Sequence, residues 1–214
     1  MNKTLIFRSV VTAVAVFYCL RFIFFGDYSQ FPGPFRYLTI WGLFLATFAH
    51  SRTLLISLGR SENRWDGFIG AAAIVNAMVV LLYWRLYFAD PMSVTSDGSL
   101  GQPWLEYYLH AVGPLLLWID ALFLHRGFRR LVGSVLWLFG IIAAYVAWAE
   151  LVVQRFALTP TGTVTNGLPY RFLNNLEFDG RAHFYVTNFI VAIFLLVIFA
   201  CAAWVIRRTA PKAP

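Results

Sequence analysis

Six long, continuously apolar stretches separated by shorter polar segments dominate the hydropathy pattern of the chain, at residues 4–25, 37–58, 67–88, 104–125, 130–153 and 185–206. At about 1.5 Å of helical rise per residue, a stretch of this length matches the roughly 30 Å hydrocarbon layer of a bilayer. The apolar positions do not alternate at period two, which argues against transmembrane strands, and within such a run only a helix satisfies every backbone N–H and C=O. The pattern predicts an all-α integral membrane bundle of six transmembrane helices, with residues 1–214 as a single domain. The first stretch is too long for a signal-peptide core and runs into Gly26, Asp27 and Tyr28 without a small-residue cleavage pattern, so it is expected to persist in the mature protein.

Composition agrees: 60% hydrophobic and 13% charged residues is too apolar for the surface of a soluble domain. The net charge of +7 raises the question of nucleic acid, but the basic residues sort by loop rather than forming one patch. Lys3, the Arg52/Arg60/Arg64 loop, the Arg126/Arg129/Arg130 turn and the Arg207/Arg208/Lys212 tail fall on one side of a six-pass chain. Only Arg36, Arg155, Arg171 and Arg181 fall on the other. Cytoplasmic loops retain Lys and Arg, so both termini are expected in the cytoplasm, with loops 26–36, 89–103 and 154–184 outside. The preference for arginine over lysine points to a bacterial inner membrane. Cys19 and Cys201 lie at different depths, too far apart for a disulfide. The loop 154–184, with Pro160, Gly162, Asn166, Gly167 and Pro169, reads equally as a cover for the outer mouth of the bundle or as a passive solvated loop. No pair of the GxxxG type marks a dimer face, which leaves the oligomeric state open.

Ionisable groups inside a span cost a few kcal/mol each on insertion scales, so each needs a partner or a role. Arg21, Thr39, Arg85, His110 and Glu150 fall within two or three turns of the outer ends of five different helices. Their shared depth predicts a polar cavity in the outer half of the bundle, with His110 as its proton carrier and with His183 and Asn188 completing the wall. A plainer reading has Arg21, Arg85 and Glu150 reaching for the headgroups, with Trp84 and Trp148 as interfacial anchors. His110 sits more than a turn inside its helix, ahead of Gly113 and Pro114, which loosen backbone bonding there. Asp120, about 15 Å deeper on the same helix, matches the depth of Arg8 and predicts a structural ion pair.

The run Tyr37-Leu38-Thr39-Ile40-Trp41 opening the second span, His110 with Pro114 and Asp120 on the fourth, and Pro169-Tyr170-Arg171-Phe172-Leu173 before the last resemble the androgen-induced membrane protein family and its bacterial relatives. The similarity extends over all six spans. It implies a threonine-dependent membrane hydrolase that cleaves fatty acid esters of hydroxy fatty acids, with the Thr and His roles falling on Thr39 and His110. One departure is Gly42, where relatives tend to carry Asn.

A threonine hydroxyl is a weak nucleophile until a base takes its proton, and a neutral histidine is the usual base. Among third groups to orient that histidine, Glu150 is the nearest candidate by depth. The oxyanion donors are open among backbone N–H groups at the start of the second helix, Arg21 and Arg85. No G-x-S-x-G elbow offers a rival nucleophile. The expected partners are a lipid substrate and the bilayer, with no nucleic acid, metal or cofactor. Two other functions compete. One is a binding or channel protein whose cavity only holds a ligand. The other is a bis-histidine haem electron carrier using His110 and His183 at one face and His50 and His125 at the other, against which stands the placement of the latter two at solvated helix ends.

Overall fold

In the computed structural model, which describes residues 2–95 and 97–209, the apolar stretches become helices packed mainly against their sequence neighbours. These are α1 (Lys3–Phe25), α2 (Leu38–Ser57), α3 (Asp66–Ala89), α4 (Pro103–Leu124), α5 (Leu131–Phe156), the short α6 (Arg171–Asn174) and α7 (Phe178–Thr209). Five of them, α1, α3, α4, α5 and α7, are long and apolar enough to cross a membrane. The 20-residue α2 carries His50, Ser51, Arg52 and Thr53 in its last turns and packs between α1 and α3. The architecture is an all-α membrane bundle with no named strand among the described residues. Lys212 lies outside the described residues.

Helix α3 occupies the centre, with every residue from Phe68 to Val79 buried. It meets α5 closely because both surfaces are small: a Cβ on Gly67 would come within 2.9 Å of the Gly133 carbonyl carbon, and one on Gly70 within 2.6 Å of Ser134 Oγ. Without a hydrophobic driving force between helices in lipid, such close backbone approach supplies the van der Waals attraction that holds them. The outer faces of α1, α5 and α7 carry exposed Phe17, Phe24, Leu136, Phe139, Ile190 and Phe194, as lipid-facing surfaces do.

Contacts between distant segments define two ends. At one, Arg8 of α1 reaches Ser57 at the end of α2, Arg64 donates to the His125 carbonyl, and Arg207 of α7 donates to the Gly127 carbonyl. At the other, Arg21 bonds Gln102, Arg36 bonds the Thr159 carbonyl and Trp148 bonds the Phe35 carbonyl. Structure and hydropathy differ most at α7, which begins at Phe178, ahead of Tyr185. Asp179 suits the positive end of its dipole, and Arg181 is buried against Glu150, so a polar first turn is sheltered where hydropathy reads a loop.

Three turns within the membrane helices widen to π geometry: Tyr108–Val112 and Asp120–Leu124 in α4, and Ala149–Val153 in α5. They carry His110, Asp120 and Glu150 respectively. Such bulges are uncommon and concentrate at functional sites. Cys19 and Cys201 are free thiols.

Candidate functional site

The loop from Gly26 turns through a 3₁₀ segment at Gly33–Arg36 and delivers Tyr37 as the start of α2, so Thr39 lies in the first turn of that helix. Facing it is the first π turn of α4. Thr39 Oγ1 lies 3.3 Å from His110 Nε2. The other ring nitrogen, Nδ1, is 3.2 Å from Glu106 Oε2 and 3.1 Å from the Glu106 carbonyl oxygen. Both neighbours of Nδ1 can only accept, so the neutral ring carries its proton there, and Nε2 presents a lone pair to the threonine hydroxyl. Tyr83 of α3 stacks on the imidazole with centroids 3.4 Å apart and planes within 6°, which fixes the ring plane.

The backbone beneath the histidine follows from the sequence. Pro114 has no N–H to return to the carbonyl of residue 110, and Trp84 of α3 donates its indole N–H to that oxygen at 2.8 Å. Trp148 likewise donates to the Phe35 carbonyl at 3.1 Å. Both indoles are half-buried and donate to backbone carbonyls, Trp84 to a neighbouring helix and Trp148 to the segment that precedes α2.

Thr39 and His110 line a cavity of about 680 Å³, within the range of small-molecule sites. Helices α3, α4, α5 and α7 supply apolar walls, including Val79, Leu82, Leu109, Ile142 and Phe189. The connecting segments supply the rim, and Thr159, Pro160 and Pro169 to Leu173 from the long loop all lie on it. Residues of that loop are thus part of the cavity lining. Burial pushes the Tyr170 phenol above its ordinary range, so it stays a neutral hydroxyl.

Of the other residues singled out in the sequence, Asn188 also lines the cavity, its amide donating to the Phe184 carbonyl one turn back. Arg21 is bonded to Gln102 Oε1 at 2.8 Å and lies over Trp104, Arg85 is exposed, and His183 is exposed beside Thr187; none of the three lines the cavity. Glu150 is committed elsewhere, to Arg181 Nε at 2.9 Å and the Tyr185 hydroxyl at 2.8 Å. The carboxylate on His110 is Glu106, one turn earlier on the same helix. The i, i+4 spacing was the signal that could have found it.

Asn76 of α3 stands against Gly42: its amide nitrogen donates to the Gly42 carbonyl at 3.0 Å, and a Cβ on Gly42 would meet its Oδ1 at 3.5 Å. An amide thus occupies the space beside position 42 although residue 42 has no side chain.

His50 and His125 are buried rather than solvated. His50 Nδ1 lies 3.9 Å from Asp120 Oδ2, and His125 Nε2 lies 3.4 Å from Asp66 Oδ1. Arg8 pairs with Asp120 at 2.8 Å, as their common depth predicts. Two of the four histidines thus stand beside carboxylates at the far end of the bundle, and both nitrogens of His110 have polar neighbours.

A helical membrane bundle with a threonine–histidine pair set in a cavity of about 680 Å³ is the class of protein these observations define. The family model for FAR-17a/AIG1-like proteins matches residues 4–203, and the chain belongs to that family, the androgen-induced gene 1 family. No curated protein and no solved structure matches the chain.

Proposed function

We propose that the chain is a six-pass membrane threonine hydrolase, with both termini cytoplasmic, that cleaves a lipid ester of the fatty acid ester of hydroxy fatty acid type. The observation that carries this reading is the relay Thr39 Oγ1, His110 Nε2, His110 Nδ1, Glu106 Oε2, with steps of 3.3 and 3.2 Å at the wall of an acyl-sized cavity. Nucleophile, base and orienting carboxylate stand in the order that covalent acyl transfer requires.

Thr39 Oγ attacks the ester carbonyl carbon as His110 Nε2 takes the hydroxyl proton, and the carbonyl electrons move onto oxygen. With Arg21 and Arg85 away from the cavity, the backbone N–H of Thr39 in the first turn of α2, whose Ile40 and Trp41 N–H groups already donate to the Tyr37 carbonyl, is the donor offered to that oxyanion. Collapse breaks the ester C–O bond, and the imidazolium returns its proton to the departing hydroxy acid. Water, deprotonated by the same imidazole, then releases the acyl group from Thr39. Glu106 keeps the Nδ1 proton in place and stabilises the imidazolium between steps.

The test is labelling by a fluorophosphonate-type probe, followed by mapping of the adduct. Labelling at Thr39 that is lost in Thr39→Ala and His110→Ala and partly kept in Thr39→Ser is the expected result. A probe that labels all three variants like the parent removes the threonine from the reaction. Fusion of a periplasm-active reporter to the C-terminus checks orientation, and it is expected to stay silent.

A further inference from the structure

We propose that Arg171, on the rim of the Thr39/His110 cavity, binds the free carboxylate of the lipid substrate and so favours esters that carry a free acid over those that do not; the assignment to substrate rests on the hydrolase reading above.

The cavity is amphipathic along its depth. Its charged rim residues Asp27, Arg36 and Arg171 come from the segments between the membrane helices, whereas the helical walls are mostly apolar and carry the carboxylate Glu106. Moving an ionised carboxylate into such walls is far costlier than moving a methylene chain. An amphiphile therefore enters chain first and leaves its carboxylate among the rim groups.

Most of the other charged groups lining the cavity already have partners. Glu106 and His110 face each other. Asp27 accepts the Ser29 N–H at 2.9 Å, and with the Ser29 hydroxyl, and more weakly Arg36, this holds its carboxyl below the ordinary value, so it remains charged. Arg36 donates through Nη1 to the Thr159 carbonyl at 3.0 Å and packs over Tyr37, with its buried Nε left without a partner. Arg171 is exposed and makes no hydrogen bond or ion pair among the described residues.

Its platform is nevertheless firm. Leu173 and Asn174 of the same helix are buried, and the Asn174 amide bridges the Pro160 carbonyl and both backbone groups of Leu168. A planar guanidinium held on a fixed support at the mouth matches the geometry a carboxylate prefers. Thr39 stands in the first turn of α2, beyond Arg36 and the extended Tyr37, so the reacting ester lies on the helical side of the cavity and the acid group on the side of the connecting segments.

Turnover of a mid-chain ester bearing a free acid is compared with that of its methyl ester, in the parent, Arg171→Ala, Arg171→Lys and the control Arg155→Ala, which removes an exposed arginine that does not line the cavity. Arg171→Ala is expected to lower kcat/KM for the acid by roughly 3- to 10-fold and leave the methyl ester unchanged. Arg171→Lys retains most of the preference, and Arg155→Ala retains all of it. Equal effects on acid and methyl ester, or none on either, overturn the assignment. In parallel, thermal stabilisation of the Thr39→Ala protein by a long-chain fatty acid and by its methyl ester is measured with and without Arg171. If no ester is turned over by the parent, the hydrolase reading falls. The carboxylate site then stands if stabilisation by the acid still depends on Arg171, and falls if it does not.

Discussion

The two ends of the bundle hold the same three residue types in opposite wiring. At the cavity, Thr39 of α2 meets His110, and His110 meets Glu106 of α4. Fourteen residues further along both helices, about 21 Å away, Thr53 of α2 meets Asp120 of α4, with His50 beside it. There the hydroxyl donates straight to the carboxylate at 2.5 Å, the histidine stands outside at 3.9 Å, and Arg8 neutralises the carboxylate through Nε and Nη2 at 3.0 and 2.8 Å. None of these four residues lines the cavity. A hydroxyl that already donates to an anion cannot be activated by a base, and a carboxylate answered by arginine cannot stabilise an imidazolium. Order of contact and access to space, rather than residue type, separate a candidate reaction centre from a structural clamp.

The sharpest way to break this comparison is to remove the two hydroxyls one at a time. Thr39→Ala is expected to lower ester turnover by at least about a thousandfold, as loss of a nucleophile does, with little change in melting temperature. Thr53→Ala is expected to do the reverse, leaving turnover within a few-fold while thermal stability falls. Matching losses of turnover in both variants would mean that the wiring does not decide function.

Next in size is the clamp itself. Asp120→Ala leaves the Arg8 guanidinium buried without its anion, at a cost of about 3–5 kcal/mol, read as a lower unfolding midpoint in detergent. The double variant Arg8→Met/Asp120→Leu, which removes both charges, is expected to recover much of that stability. A double variant no better than the single one would show that the pair contributes through shape rather than charge.

Glu106→Gln addresses the other end more gently. The amide accepts from Nδ1 but no longer stabilises the imidazolium. With Glu106 partly solvated, turnover is expected to fall by roughly 10- to 100-fold, less than a fully buried triad carboxylate would give. A fall confined to KM would assign Glu106 to binding instead.

How much of this was legible in the sequence depends on which physical signal each feature leaves. Hydropathy marked the helices because twenty apolar residues have few other uses, and helical rise alone placed Arg8 and Asp120 at one level. Thr39 and His110 could be read as one depth, but their facing each other across α2 and α4 rested on family resemblance. Depth alone favours Glu150, whereas the i, i+4 spacing from His110 points to Glu106. The choice depends on the π turn at Ala149–Val153, which accompanies Glu150 bonded to Arg181, and on α7 starting a turn or two early. Neither changes the apolar pattern from which elements are inferred. The buried His50 and His125 were misplaced for a related reason, since helix ends read as solvated until the loops that cover them are known.

The smallest expected effect tests why the imidazole is held so firmly at one end. The carbonyl of residue 110 relies on Trp84 because Pro114 offers no N–H. Trp84→Phe keeps the ring and removes the donor, leaving a buried carbonyl unanswered at a cost of about 1–3 kcal/mol. Pro114→Ala alone supplies a competing backbone donor and is expected to change stability little. In the double variant the restored N–H can reach that carbonyl, so the loss is smaller than the sum of the single effects, and a double-mutant cycle on unfolding midpoints measures the coupling. Strict additivity would show that the indole hydrogen bond and the proline act on separate parts of α4. In that case the π turn beneath His110, rather than the missing N–H, is what aims the ring at Thr39.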